Sequence, residues 1–264
     1  MATALITGGT SGIGAAFARA LAGRGDDLVL VARNDERLST MATELTERYG
    51  VRVATIAADL SDRADTVRVA ERLSLRQAQG TEGPVDLLVS NAGFGIPVSL
   101  LAEDTTPHEV GFDVMIRAVL MLGAAAGRAM RERGSGAIVN VSSTAGFVTM
   151  GNYSAIKAWV TSYTEGLANE LAGTGVTATA LCPGWVRTEF HERAEIGVGG
   201  IPDFLWLDAD DLVADCLADV ARGRVISIPS RRYQLLIGAA RHLPRPALRA
   251  LSKRLSSSRH GEPG

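Results

Sequence analysis

A chain of 264 residues that is 46 % hydrophobic, with a formal net charge of −2, holds enough apolar material for one large core, so a single α/β domain is expected and a second is not required. No recognised nucleic-acid-binding motif is present, and nucleic acid is not an expected partner. Neither a charged leader with an apolar core nor a run of about eighteen apolar residues is present, and the expected location is cytoplasmic.

Strands are expected near residues 2–7, 28–32, 51–57, 85–90, 136–142, 176–182 and 224–228, with helical patterns between them. Continuous apolar runs such as Leu28-Val29-Leu30-Val31 and Ala137-Ile138-Val139-Asn140-Val141 suit strands covered on both faces by helices. The fold class is therefore α/β, a doubly wound, parallel, seven-stranded sheet, in which ligands bind at the carboxyl ends of the strands. The first strand runs straight into Thr7-Gly8-Gly9-Thr10-Ser11-Gly12-Ile13-Gly14 and an alanine-rich helical stretch. Glycine at 8, 12 and 14 lets the backbone turn tightly and approach a pyrophosphate, whose charge the amides of the helix start would hold. A purely structural tight turn is the other reading of the same residues. The second strand ends in Ala32-Arg33-Asn34, without a carboxylate. Residues 75–83 lengthen the third crossover without a clear period and read as an exposed loop with no function assigned.

Tyr153 and Lys157 are the most informative pair, because the chain has two lysines against 25 arginines and one of the two follows a tyrosine by four positions. On a helix, positions i and i+4 share a face, so the ammonium can sit near the phenol and stabilise its phenolate. A free phenol, with a pKa of about 10, is a poor acid-base catalyst at neutral pH. Holding a sugar hydroxyl while lowering a neighbour's pKa suits a compact ammonium better than a rigid guanidinium. Cys182 and Cys216 lack metal or redox spacing, and His108, His191, His242 and His260 form no cluster. Reduced structural thiols and no metal are expected.

Glycine-rich residues 187–207 are the expected lid over the substrate. Around it Phe94, Ile96, Phe147, Met150, Trp185, Phe190, Phe204 and Trp206 are apolar, which points to a hydrophobic alcohol or ketone, although lid aromatics can equally be the lid's own packing. Residues 1–221 carry 17 basic against 28 acidic side chains, whereas residues 222–264 carry 10 against 1. The division expected is a nucleotide-binding and catalytic unit over 1–222, then a last strand and basic amphipathic extension over 223–264. The extension has Leu235, Leu236, Ile237, Ala240 and Leu243, then Leu248, Leu251 and Leu255, in two helical patterns separated by Pro244 and Pro246. Its apolar faces would dock on the body or on a second subunit; a peripheral contact with an anionic membrane and, more remotely, nucleic-acid binding are the alternatives.

Taken in order, the glycine turn, Asp59-Leu60, Asn91-Ala92-Gly93, Ser142-Ser143, Tyr153 and Lys157, and Pro183-Gly184 with Val186 and Thr188 resemble the landmarks of the short-chain dehydrogenase/reductase family, from Thr7 to about Arg224. The resemblance implies a Rossmann fold, a homodimer or homotetramer, and a nicotinamide cofactor in the glycine turn. It implies Tyr153 as the acid that protonates a carbonyl oxygen, Ser143 as the hydroxyl that binds the same oxygen, and Lys157 as the holder of the nicotinamide ribose. Ser142 is the competing hydroxyl. Asn91 would steady the cofactor near its ribose, and Val186 and Thr188 would touch its carboxamide and pyrophosphate.

At the end of the second strand an acidic residue would favour NAD, whereas Arg33 with Asn34 can bind a 2'-phosphate, so NADP(H) is expected as the preferred cofactor and NAD(H) as the second. An arginine simply solvated at the strand end is the plainer reading. Ser11 stands where NADP-preferring relatives often add a second cation. Two further departures matter. Met115 occupies the position of a family asparagine that holds a relay water, and Ser143 precedes Tyr153 by ten residues, a shorter connection than relatives usually have. The reading that results is an NADP-dependent oxidoreductase interconverting a carbonyl and an alcohol. A dinucleotide-binding sensor or scaffold impaired through Met115 is its rival.

Overall fold

The computed structural model describes residues 2–77, 83–188 and 202–257. Part of the 75–83 loop, most of the expected lid, Phe190, His191 and His260 therefore lie outside the described residues, as do the side chains of Leu251 and Leu255.

Seven parallel strands form one sheet: β1 (Thr3–Thr7), β2 (Asp27–Ala32), β3 (Val53–Ala57), β4 (Leu87–Ser90), β5 (Gly136–Val141), β6 (Val176–Leu181) and, after a second small sheet, β9 (Ile226–Ser227). Their spatial order is β3-β2-β1-β4-β5-β6-β9. The order reverses direction between β1 and β4, and that switch opens the crevice at their carboxyl ends. Leu5 is opposite both Val29 and Leu88, which fixes the register at the centre of the sheet.

Alternating residues send side chains to opposite faces. On one face Ile6, Leu30 and Val139 pack under Phe17 and Leu21 of α1 (Gly12–Ala22) and Leu212 and Cys216 of α7 (Ala209–Ala221). On the other, Leu5, Val29 and Ile138 pack against Val69 of α3 (Arg63–Leu73) and Leu122 and Met130 of α5 (Ala118–Arg133). α2 (Asp35–Tyr49) adds Leu38 and Leu45 to the first face. Edge strand β3 is less covered than the sequence runs suggest, with three of its five residues exposed.

α4 (Thr106–Phe112), a π-helical turn (Asp113–Arg117) and α5 run on as a helix of 28 residues. By length and composition alone it could cross a membrane, but half of its apolar window is buried in this fold. The last strand is shorter than expected, yet it pairs Ala180 with Ile226. Buried Asp219 holds it in place by accepting from Ser227 Oγ at 2.8 Å and pairing with Arg222 and Arg224.

Two elements were not foreseen in the strand pattern. β7 (Trp185–Val186) and β8 (Trp206–Leu207) make a parallel pair that clasps the two ends of the 187–207 segment. Trp185 and Trp206 meet at 5.9 Å between ring centroids, and Arg187 pairs with Asp203.

The extension forms α8 (Arg231–His242) and α9 (Arg245–Ser257). Tyr233, Ile237, Leu248 and Ser252 are buried. Tyr233 Oη donates to Leu205 O at 2.8 Å and accepts from Trp185 N at 3.1 Å, and Ser252 Oγ accepts from Thr149 N at 3.1 Å. Docking accounts for one face of α8; Leu235 and Leu236 point outward, 77 % and 53 % exposed.

Candidate active site

The crevice is a cavity of about 770 Å³ running from Arg33 to Tyr153. Gly8 and Gly12 hold φ of +65° and +53°, in the left-handed region that glycine enters without a Cβ clash. A Cβ on Gly14 would stand 2.1 Å from Gly8 O, so this third glycine lets α1 close onto the end of β1 rather than lining the cavity itself. Ser11 precedes α1 in an extended conformation with no side-chain cap. The first-turn amides are thereby left uncapped by Ser11, as an anion site at a helix start requires.

Asn91 ties the two central strands together. Its Nδ2 donates to Thr7 O at 2.9 Å and Gly8 O at 3.3 Å, while Thr7 Oγ1 accepts from the backbone amides of Asn91 and Ala92. Asp59 accepts from Ser61 N and Ser61 Oγ, which shapes the wall formed with Leu60. Thr188 packs over Gly12, with its Cβ 3.3 Å from where a glycine Cβ would be.

Thr10, Ser11, Gly12, Ile13, Arg33, Asn34, Asp59, Leu60, Asn91, Ala92, Gly93, Tyr153, Lys157, Pro183, Val186 and Thr188 all line the cavity with Gly8. Gly184 does not. Its neighbour is the Tyr233 ring, 2.0 Å from a would-be Cβ, so this glycine makes room for α8 rather than for a cofactor. Arg37 is the principal wall residue that the sequence reading missed. Asn34 caps α2 by accepting from Arg37 N at 2.8 Å. That cap sets the first turn, and Arg37, three positions on, lines the same cavity as Arg33.

At the other end, α6 (Gly151–Glu170) carries Tyr153 and Lys157 on one face. Lys157 Nζ lies 5.5 Å from the Tyr153 ring centroid and donates to Val141 O at 2.9 Å. Burial pushes its ammonium down to about 8. Burial also pushes the Tyr153 phenol up to about 12, against the opposing pull of a hydrogen bond with Ser143. The phenol thus stands above its ordinary value, contrary to the expectation that a nearby ammonium lowers it, because desolvation outweighs the hydrogen bond.

Of the two serines, Ser142 lines the cavity and Ser143 does not, but their hydroxyls are used differently. Ser142 Oγ is buried and spent on Lys157 O and Thr161 Oγ1, both at 2.7 Å. Ser143 Oγ bonds Tyr153 and accepts from Ala145 N at 3.1 Å. Met115 is fully buried, and both its Sδ and Lys157 Nζ converge on Gly93, 3.1 Å and 3.7 Å from a would-be Cβ. The thioether therefore stands beside the site's amine.

The expected apolar pocket is largely dispersed. Phe94 lines the main cavity, joined by Val110 and Val114. Phe147 instead lines a second cavity of about 500 Å³ beneath the extension, Ile96 packs toward Gly111, and Phe204 is 59 % exposed. Trp185 and Trp206 belong to the β7–β8 clasp, and Met150 precedes α6 as its uncapped N-cap residue. Among the described residues no group of three or more His, Cys, Asp or Glu could hold a metal. An extended cavity with a glycine-rich turn at a helix start, two guanidinium groups at one end and a phenol and an amine at the other could hold a dinucleotide with a small molecule against it.

The chain is similar to known proteins in both sequence and fold. Residues 2–197 match the family described as short chain dehydrogenase. An uncharacterized oxidoreductase of Staphylococcus saprophyticus is 35 % identical over 197 residues, 74 % of this chain and 82 % of that one. A short-chain dehydrogenase from Sphingobium yanoikuyae, solved in complex with NADPH, aligns with a TM-score of 0.81 and 35 % identity, covering 91 % of this chain and 94 % of that one. The bulky-bulky ketone specific alcohol dehydrogenase from Comamonas testosteroni aligns at 0.77 and 29 % identity, covering 93 % and 96 %.

Proposed function

The chain belongs to the short-chain dehydrogenase family and is an oxidoreductase, and from that premise we propose that it is an NADPH-dependent reductase of hydrophobic ketones or aldehydes, with Ser143, Tyr153 and Lys157 as its catalytic residues. The observation that carries the proposal is the placement of the buried Lys157 amine 5.5 Å from the Tyr153 ring centroid, both residues lining the end of the cavity away from Arg33 and Arg37.

Arg33 and Arg37 bind the 2'-phosphate, and the Gly8–Gly12 turn with the start of α1 binds the pyrophosphate. NAD(H), lacking that phosphate, binds more weakly. Lys157 holds the nicotinamide ribose. When bound, NADPH supplies the hydride that goes to the carbonyl carbon. Ser143 and Tyr153 hold the carbonyl oxygen through their hydroxyls and so polarise it. Since burial keeps the phenol protonated at neutral pH, Tyr153 is the acid: its proton passes to the substrate oxygen as negative charge develops there, and Lys157 stabilises the phenolate left behind. Oxidation of the alcohol reverses these steps.

Phe94, Val110 and Val114 favour an apolar substrate next to this cluster. The exposed Phe112 and Leu120 on the outer side of the 106–133 helix offer a second copy an apolar surface, in keeping with a homodimer or homotetramer. Nothing in the comparisons favours an impaired sensor, and Met115 is the single feature that would. The test is NADPH oxidation against a panel of aldehydes, ketones and quinones, run beside NADPH binding by fluorescence. Turnover is expected; NADPH binding without turnover across the panel would favour the sensor.

A further inference from the structure

Tyr153 is the third residue of α6, in the first turn, where backbone amides have no partner inside the helix and ends fray. That turn is weakly closed from within. Met150, the residue before it, makes no side-chain cap, and Gly151 opens the helix at φ +68°. What holds it comes from outside. His108 of α4 is buried, and its Nδ1 lies 3.1 Å from Asn152 Nδ2, which is also buried. Its Nε2 lies 3.1 Å from Ser99 O, in the loop that leads from the cavity wall at Phe94 and Gly95 into α4.

These contacts select one arrangement. A carbonyl only accepts, so Nε2 carries the proton and donates to Ser99 O. Asn152 presents its Nδ2 to Nδ1, so Nδ1 accepts. The imidazole, which the sequence pattern left without a role, is thus a strut with a fixed direction: loop to α4 to the residue preceding Tyr153.

We infer that His108 and Asn152 are a positioning pair that seats the Tyr153 phenol against Ser143 and Lys157. Neither touches the reacting atoms; they act through Tyr153, and the inference rests on the catalytic reading of that residue. Without the strut the first turn of α6 loosens while Lys157, one turn further in and bonded to Val141 O, stays put. The phenol then loses its registration with the amine. Misplacement on the order of 1 Å can cost up to about 100-fold in rate.

The test uses the full-length protein labelled with 3-fluorotyrosine, in which Tyr153→Phe identifies the ¹⁹F resonance of position 153 without need of a substrate. His108→Ala is expected to broaden or split that resonance, leave NADPH affinity unchanged, and lower kcat roughly tenfold on a panel carbonyl reduced by the wild type. The conservative variants separate positioning from general packing. His108→Asn puts an amide oxygen near the Nδ1 position and should restore the line and kcat; His108→Gln puts its amide near Nε2, keeps the loop contact instead, and should not. These two also serve if His108→Ala fails to fold. An unperturbed Tyr153 resonance in His108→Ala, or equal rescue by Asn and Gln, overturns the pair. A Tyr153→Phe protein that retains turnover is a different failure, since it removes the catalytic role of Tyr153 itself.

Discussion

Lys157 has two ordinary demands placed on it, burial and a charge, and they conflict. Burial lowers its pKa from 10.5 to about 8, so the amine is charged below that pH and neutral above it, whereas the phenol at about 12 stays protonated throughout. The kcat/KM for reduction should therefore fall as pH rises through about 8. Lys157→Arg, whose cation does not titrate in this range, should lower the plateau and abolish that basic limb; a limb that persists unchanged would assign it to another group. At the opposite end, Arg33→Ala and Arg37→Ala should each weaken NADPH binding about tenfold or more and leave NADH binding unchanged, the scale of a charge-assisted contact. Fluorescence titration of both cofactors checks this, and equal losses for the two would mean that neither guanidinium reads the 2'-phosphate. Arg33 was legible in the sequence because it directly follows a strand end. Arg37 was not, because its reach depends on the Asn34 cap turning α2 toward the crevice. Ser143 was favoured over Ser142 in the sequence only through the family resemblance; the bond of Ser142 to Lys157 O is a tertiary contact that no local pattern displays.

The parallel strands were readable as elements because continuous apolar runs mark strands covered on both sides. The β7–β8 clasp escaped, since two residues on each side of a long connection form no period. The π-helical turn Asp113–Arg117 was also unreadable, though such turns gather at functional sites. It carries Met115 to the side of Lys157 and anchors through Arg117, which donates to Ser61 O and pairs with Asp113. Met115→Asn would put a polar group beside the amine. Turnover should rise where proton supply is limiting, with NADPH affinity unchanged and stability lowered by about 1–3 kcal/mol for the buried amide. Kinetics across pH together with thermal melting measure both effects; unchanged turnover in a folded variant would show that solvent already supplies the proton. In the glycine turn, Gly14→Ala must push α1 away from Gly8 O.

Over the whole molecule, the charge imbalance between residues 1–221 and 222–264 marks an extension that the fold uses as a brace. α8 fills the space beside Gly184 with Tyr233, and α9 holds the loop before α6 through Ser252. Truncation after residue 230 should lower Tm by roughly 10 °C or more, the scale of losing three buried apolar side chains in a domain of this size. An unchanged Tm, with sedimentation on anionic vesicles lost on truncation, would mean that the exposed Leu235 and Leu236 serve a lipid surface and that bracing is secondary. That the extension docks at all depends on Gly184 having no side chain, a complementarity between distant segments that no local pattern displays. The central claim, that this chain reduces a carbonyl with Tyr153 as its acid, is met most directly by Tyr153→Phe measured for both turnover and NADPH affinity. The ring is kept and the transferable proton removed, so reduction should fall by about 100-fold or more while NADPH binds as in the wild type; near-normal turnover in the folded variant would contradict the account.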